Sequence, residues 1–170
     1  LCSLRPGEDR ACIAVDMSIN KAGNLLSHRF FRGLMRSVAR LTYEQVQAAS
    51  DGIPDDKTRH LTKTVIEPLF GAYTALARAR DYRGTLNLDI PERQVLFQQD
   101  GWIEQIVPRA RYDSHRLIEE FMITANVAAA EALHAKKKPV IYRVHEPPGM
   151  GDIEKLRESL NALGFKLARA

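Results

Sequence analysis

Cysteine is nearly absent from this sequence: of 170 residues only Cys2 and Cys12 carry thiols, with no CxxC pair and no partnering histidine. Neither a disulfide framework nor a structural zinc site is indicated, and both thiols read as small buried apolar residues of a reduced protein. Apolar runs of the ~18 to 20 residues that a membrane-spanning helix needs are also missing, and no basic-then-apolar signal segment opens the chain. A soluble, cytoplasmic protein without a membrane partner is the expectation. Charge of one sign is only modestly in excess, 25 Lys and Arg against 21 Asp and Glu, which tilts toward an anionic partner without defining one.

The signatures of a self-contained active site are missing too. The histidines His28, His60, His115, His134 and His145 show no HxH, HxxxH or HExxH spacing, so surface or packed positions are favoured over metal ligation. Asp55-Asp56 is the only pair of adjacent aspartates, and the preference of acids for a helix N-terminus accounts for it. Gly7 signals a turn, without the glycine pattern of a phosphate-binding loop. Magnesium-assisted phosphodiester hydrolysis needs several carboxylates converging on the ion, and no such set is found. The sequence therefore offers no catalytic residue and no metal ligand.

What is present is patterned. With 45% hydrophobic and 27% charged residues, the chain has the composition of one soluble domain with a core. Ile13, Val15, Met17 and Ile19 alternate as in a half-buried strand, and "NKAGN" supplies a turn. The next segment, "LLSHRFFRGLMRSVARL", has helical spacing, yet a turn straight after a strand favours a second antiparallel strand, with Arg29, Arg32, Arg36 and Arg40 along an exposed face. Thr42 is placed to cap a short helix, "DGIPDD" reads as a loop, and Asp55 and Asp56 suit the start of a helix that Pro68 kinks or divides. A hairpin turning at Asp100-Gly101 follows, then the most regular helix, from Ser114 to about Ala135, whose alanines imply a close neighbour. "KKKP" ends it, "PVIYRVHEPPG" reads as a strand and loop, and "DIEKLRESLNALG" as a terminal helix capped by Gly164. Without regular βαβ alternation the class is α+β, antiparallel strands and hairpins packed with several helices. The chain starts at Leu1 without a methionine and stops at "KLARA" just after a helical segment, as an excised piece of a longer protein would.

Four stretches, "LCSLRPGEDR" at the start, "ARLTYEQV" at 39–46, "RLIEEFMITAN" at 116–126 and "YRVHEPP" at 142–148, occur in order with "RGTLNLDIPE" between them. Together they make the chain resemble the catalytic RNB domain of the ribonuclease II and ribonuclease R family, closer to ribonuclease R, across essentially its whole length. The resemblance implies processive 3′-to-5′ exoribonucleases that draw single-stranded RNA into a channel and hydrolyse it with Mg2+ to nucleoside 5′-monophosphates. It also implies that residues 1–170 form the middle of the domain, since the family's metal-binding aspartates would precede Leu1 and its arginine motif would follow Ala170. On that expectation the chain alone is inactive, supplies channel wall and RNA contacts, and self-associates through uncovered apolar faces. The alternative is a non-catalytic RNA-binding or structural module.

By the resemblance, Glu119 lies near the RNA ribose and Tyr43 helps it read the sugar, since a carboxylate accepts the 2′-hydroxyl proton that separates RNA from DNA. Without the resemblance, Glu119 is an exposed helix carboxylate and Tyr43 a core aromatic with its hydroxyl bonded. Leu88 stands where a relative stacks a phenylalanine on terminal bases, and leucine packs on a base without a π-face. Glu120 reads as a surface partner of Arg116, and Asn126 as satisfying backbone groups inside the fold. The arginines at 29, 32, 36 and 40 read as a solvated face rather than as phosphate contacts. Arg143 and His145 stand open between a structural and a channel-lining role.

Overall fold

The alternation at the start of the chain closes into an antiparallel hairpin. In the computed structural model, which describes residues 3–86 and 90–168, β1 (Asp9–Ile19) pairs with β2 (Leu25–Arg36) from Asp9 opposite Arg36 to Ser18 opposite Ser27. Leu88 and Cys2 lie outside the described residues, and Cys12 is half-buried rather than fully buried. The turn is held by Asn20, whose side-chain oxygen accepts from the backbone N–H groups of Ala22 and Asn24 at 3.0 and 2.9 Å. Gly23 has φ +82°, and a Cβ there would collide with the carbonyl oxygen of Ala75 and lie 2.7 Å from the Cβ of Ala79. The hairpin tip thus rests on the helix that carries those alanines.

The strand reading of 25–36 holds, but its arginines do not share one face. Side chains alternate along a strand, so Arg32 and Arg36 point one way and Arg29 the other. Arg29 pairs across the hairpin with Asp16 at 2.9 Å and Arg36 with Asp9 at 2.6 Å, so the partners are cross-strand carboxylates.

Thr42 caps α1 (Tyr43–Ser50): its hydroxyl accepts from the Gln45 N–H at 3.3 Å while the Gln45 side chain accepts from the Thr42 N–H at 3.0 Å. Asp55 does not begin a helix. Its Oδ1 accepts from the backbone N–H and hydroxyl of Thr58, both at 2.8 Å, and its Oδ2 accepts from Gln45 at 2.8 Å. A short side chain that finds donors two and three residues ahead stabilises a turn in place of a helix. Turns continue to Leu61, a π-helical turn spans Thr62–Ile66, and α2 follows (Glu67–Tyr82). The expected division at Pro68 takes this form. Proline has no N–H for the carbonyl four residues back, and the chain meets the gap with a wider turn in which the Ile66 N–H donates to the Leu61 carbonyl at 3.0 Å.

β3 (Arg93–Phe97) and β4 (Ile103–Pro108) form the second hairpin, with Gly101 at φ +89° in its turn. α3 (Asp113–Ala135) then crosses the core, where Leu117 and Ala128 are buried with Ala75, Leu76 and Ala79 of α2 and with Ala49, Leu61 and Ile66. Burying a side chain such as Leu117 or Ile66 contributes about 1.5–3 kcal/mol. Ser114, also buried, pins the start of α3 to α1: its hydroxyl donates to the Tyr43 carbonyl at 2.9 Å and its N–H to the Gln47 side chain at 3.1 Å.

The segment 139–149 is not a strand. A strand needs a partner for its backbone groups, and among the described residues none pairs with it, leaving Ile141 fully exposed. α4 (Met150–Ala162) ends as expected at Gly164, φ +84°, where the Phe165 N–H reaches the Leu160 carbonyl at 2.9 Å and the Gly164 N–H the Asn161 carbonyl at 3.0 Å. Among the described residues, no helix is long and apolar enough to cross a membrane.

Candidate functional site

Adjacent residues on a helix point about 100° apart, so Glu119 and Glu120 are given different surroundings by the same helix. Glu120 is 2% exposed and faces α2, where Arg80 donates to it at 2.7 Å. The same Arg80 nitrogen reaches Glu119 at 3.1 Å, and Arg111, just before α3, donates to the other Glu119 oxygen at 2.7 Å. The expected surface pair of Glu120 with Arg116 is absent: Arg116 meets Asp113 at 3.2 Å, and Glu120 is the buried member of the two glutamates. A carboxylate taken out of water needs a charged partner, and α2 brings one from forty residues away.

The electrostatics follow from this wiring. The hydrogen bond to Glu120, seconded by that to Glu119, raises the Arg80 pKa. Burial pushes the Glu119 carboxyl up, but the hydrogen bonds from Arg80 and Arg111 outweigh it, so the group ends below its ordinary value and is ionised. Its side chain is still 38% exposed. Each carboxylate oxygen has two lone pairs, so a partly open Glu119 retains acceptor capacity.

Tyr43 is 40% exposed, which overturns the core reading, and its hydroxyl has no hydrogen-bond partner among the described residues. Its ring stacks on His115, 4.0 Å between centroids and 20° between planes, and the imidazole is followed by Tyr112 at 5.6 Å and 17°. His115 Nδ1 accepts from the Tyr112 backbone N–H at 3.1 Å, which places the proton of the neutral ring on Nε2. His115 stands one helical turn before Glu119, on the same face of α3. The structure therefore ties Tyr43 to the start of α3 through His115, one helical turn before Glu119.

Two concavities flank the stack. One of about 280 Å³ lies behind Tyr43 among Leu41, Val46, Leu69, Phe70 and Leu117. The other, about 430 Å³, includes Ile90, Glu92, Arg109, Arg111 and His115, with Arg109 reaching Glu92 at 3.4 Å. Asn126, expected inside the fold, is exposed, and Arg143 and His145 lie exposed in 139–149. His115, Arg80 and Arg111 were not singled out as site residues. The spacing of His115 and Glu119 on one helix was visible; nothing in the local sequence marks Arg80.

The chemistry on this surface suits a sugar-phosphate chain: an ionised acceptor, a free phenol, an imidazole N–H and the guanidinium of Arg111. It does not suit the magnesium ion that the resemblance implies. Among the described residues no three His, Cys, Asp or Glu side chains stand where they could hold a metal, and both oxygens of Glu119 already face guanidinium groups.

An α+β domain whose central helices carry a polar, aromatic surface is the class this fold and site define. The chain belongs to the RNB domain family, whose model matches residues 1–169. Ribonuclease R of Vibrio parahaemolyticus is 38% identical over 170 residues, which cover 98% of this chain and 20% of that protein. Ribonuclease R of Escherichia coli K12 is 36% identical, covering 98% and 21%. RNase R of Mycoplasma genitalium, in its apo form and in complex with ribose methylated single-stranded RNA, superimposes with a TM-score of 0.91 over all of this chain and 26% of that one. At 22% identity that likeness shows the fold. The chain spans about a fifth of the length of the curated relatives named above.

Proposed function

We propose that this chain belongs to a cytoplasmic 3′-to-5′ exoribonuclease that uses Mg2+ to hydrolyse single-stranded RNA to nucleoside 5′-monophosphates, and that its own part is to hold and read the strand. The observation that supports this most is the stacking of Tyr43 of α1 on His115 of α3, one helical turn before a Glu119 that is partly open and held by Arg111. Glu119 accepts the 2′-hydroxyl hydrogen of a ribose, a contact that deoxyribose cannot make, and the Tyr43 ring and hydroxyl bound the same sugar. Magnesium supplies the activation of water when bound, and that chemistry is assigned to none of the described residues.

A second reading, for the chain taken by itself, is RNA binding without cleavage. Both are tested with one strand labelled at each end. The full-length protein with Mg2+ is expected to release mononucleotides from the 3′ end, and the 170-residue chain to bind the strand and leave it intact. Cleavage inside the strand, or from the 5′ end, by the full-length protein would refute the first reading. Mononucleotide release by the purified 170-residue chain would refute the second.

A further inference from the structure

The Tyr43 ring has an unusual support for a residue at the first position of a helix. Its hydroxyl is unbonded among the described residues, it is 40% exposed, and its aromatic contact is the His115 imidazole at 4.0 Å. The imidazole is itself fixed twice, by the hydrogen bond that its Nδ1 accepts from the Tyr112 N–H and by the Tyr112 ring on α3's N-terminal side. Beneath it, Ser114 locks the start of α3 to the Tyr43 carbonyl and to Gln47. Backbone and ring of Tyr43 are thus both held from α3, the backbone by Ser114 and the ring by His115.

We propose that His115 is a positioning residue for RNA: it sets the plane of the Tyr43 ring, so that RNA meets a preorganised surface. The proposal rests on the reading of Tyr43 as an RNA contact. An unsupported tyrosine at an exposed helix start samples several rotamers, and ordering it on binding reduces affinity. His115 removes that cost in advance.

The two functions of the imidazole separate by substitution. Asparagine keeps an oxygen close to the Nδ1 position, able to accept from the Tyr112 N–H, but has no ring. Phenylalanine keeps a ring for Tyr43 but cannot accept. A merely structural His115 would be rescued by the first, and the proposed role by the second. The test compares wild type, His115→Asn, His115→Phe and Tyr43→Ala in the full-length protein, measuring affinity for a single-stranded RNA, thermal stability, and the signal of a fluorotyrosine at position 43 without RNA. His115→Asn is expected to melt slightly below wild type, to move the fluorotyrosine signal and to bind RNA up to about five-fold more weakly, the ceiling set by one lost aromatic pair. His115→Phe is expected to melt lower, to keep the signal and to bind within two-fold of wild type. Wild-type RNA affinity in His115→Asn, with Tyr43→Ala impaired, would overturn the positioning role alone. Wild-type affinity in Tyr43→Ala would overturn the RNA contact of Tyr43, and the fluorotyrosine signal would still report whether His115 holds the ring.

Discussion

At the scale of single residues, the two glutamates of one helix turn show how neighbours in sequence take opposite roles. Glu120 is the buried anchor of Arg80, whereas Glu119 shares that arginine and remains open. Glu120→Ala is expected to destabilise the fold by about 2 kcal/mol, because it removes a charged hydrogen bond and leaves a partly buried guanidinium with one partner fewer; a thermal melt measures this. Tyr43→Phe should behave in the opposite way. The lost hydroxyl has no partner among the described residues, so the melt should change by less than about 0.5 kcal/mol while RNA affinity falls. A large drop in melting temperature with unchanged RNA affinity would return Tyr43 to the core. Glu119 and Tyr43 were legible through the resemblance alone. Which glutamate was buried was not legible, since burial depends on Arg80 of a distant helix and nearby Arg116 offered a plausible but incorrect partner.

At the scale of elements, local rules carried far. The alternation in β1 and the turn after it, the Thr42 cap, the Asp100-Gly101 hairpin, the long apolar repeat of α3 and the stop at Gly164 all stand where short-range chemistry put them. The departures arise where a segment depends on something outside itself. Asp55 found donors in Thr58 and held a turn, and 139–149 found no partner strand among the described residues despite its apolar content. The α2–α3 clamp is another long-range product, and it is sensitive to acid. Glu119 has a pKa lowered from 4.5, so the stability it contributes is present above the unfolded value and is lost as pH falls through the lower folded one. Acid below pH 4.5 should therefore loosen α2 from α3, and Glu119→Gln should flatten that dependence in melts across the acid range. Equal acid sensitivity in both proteins would remove Glu119 from the clamp.

At the scale of the whole molecule, the domain divides its labour between a core that fixes α1, α2 and α3 and a surface that those helices assemble together. Ser114 joins α1 to α3, Arg80 joins α2 to α3, and each join ends beside a residue that faces RNA in the proposed function. Reading of the ribose by Glu119 is the central claim, and its most direct test is the rate of hydrolysis of matched RNA and DNA strands by the full-length protein and its Glu119→Ala variant. The wild type is expected to degrade RNA and spare DNA, and the variant to narrow that ratio by about ten-fold or more, as the loss of a charged hydrogen bond to the 2′-hydroxyl requires. An RNA-to-DNA ratio that is the same in both proteins would contradict it.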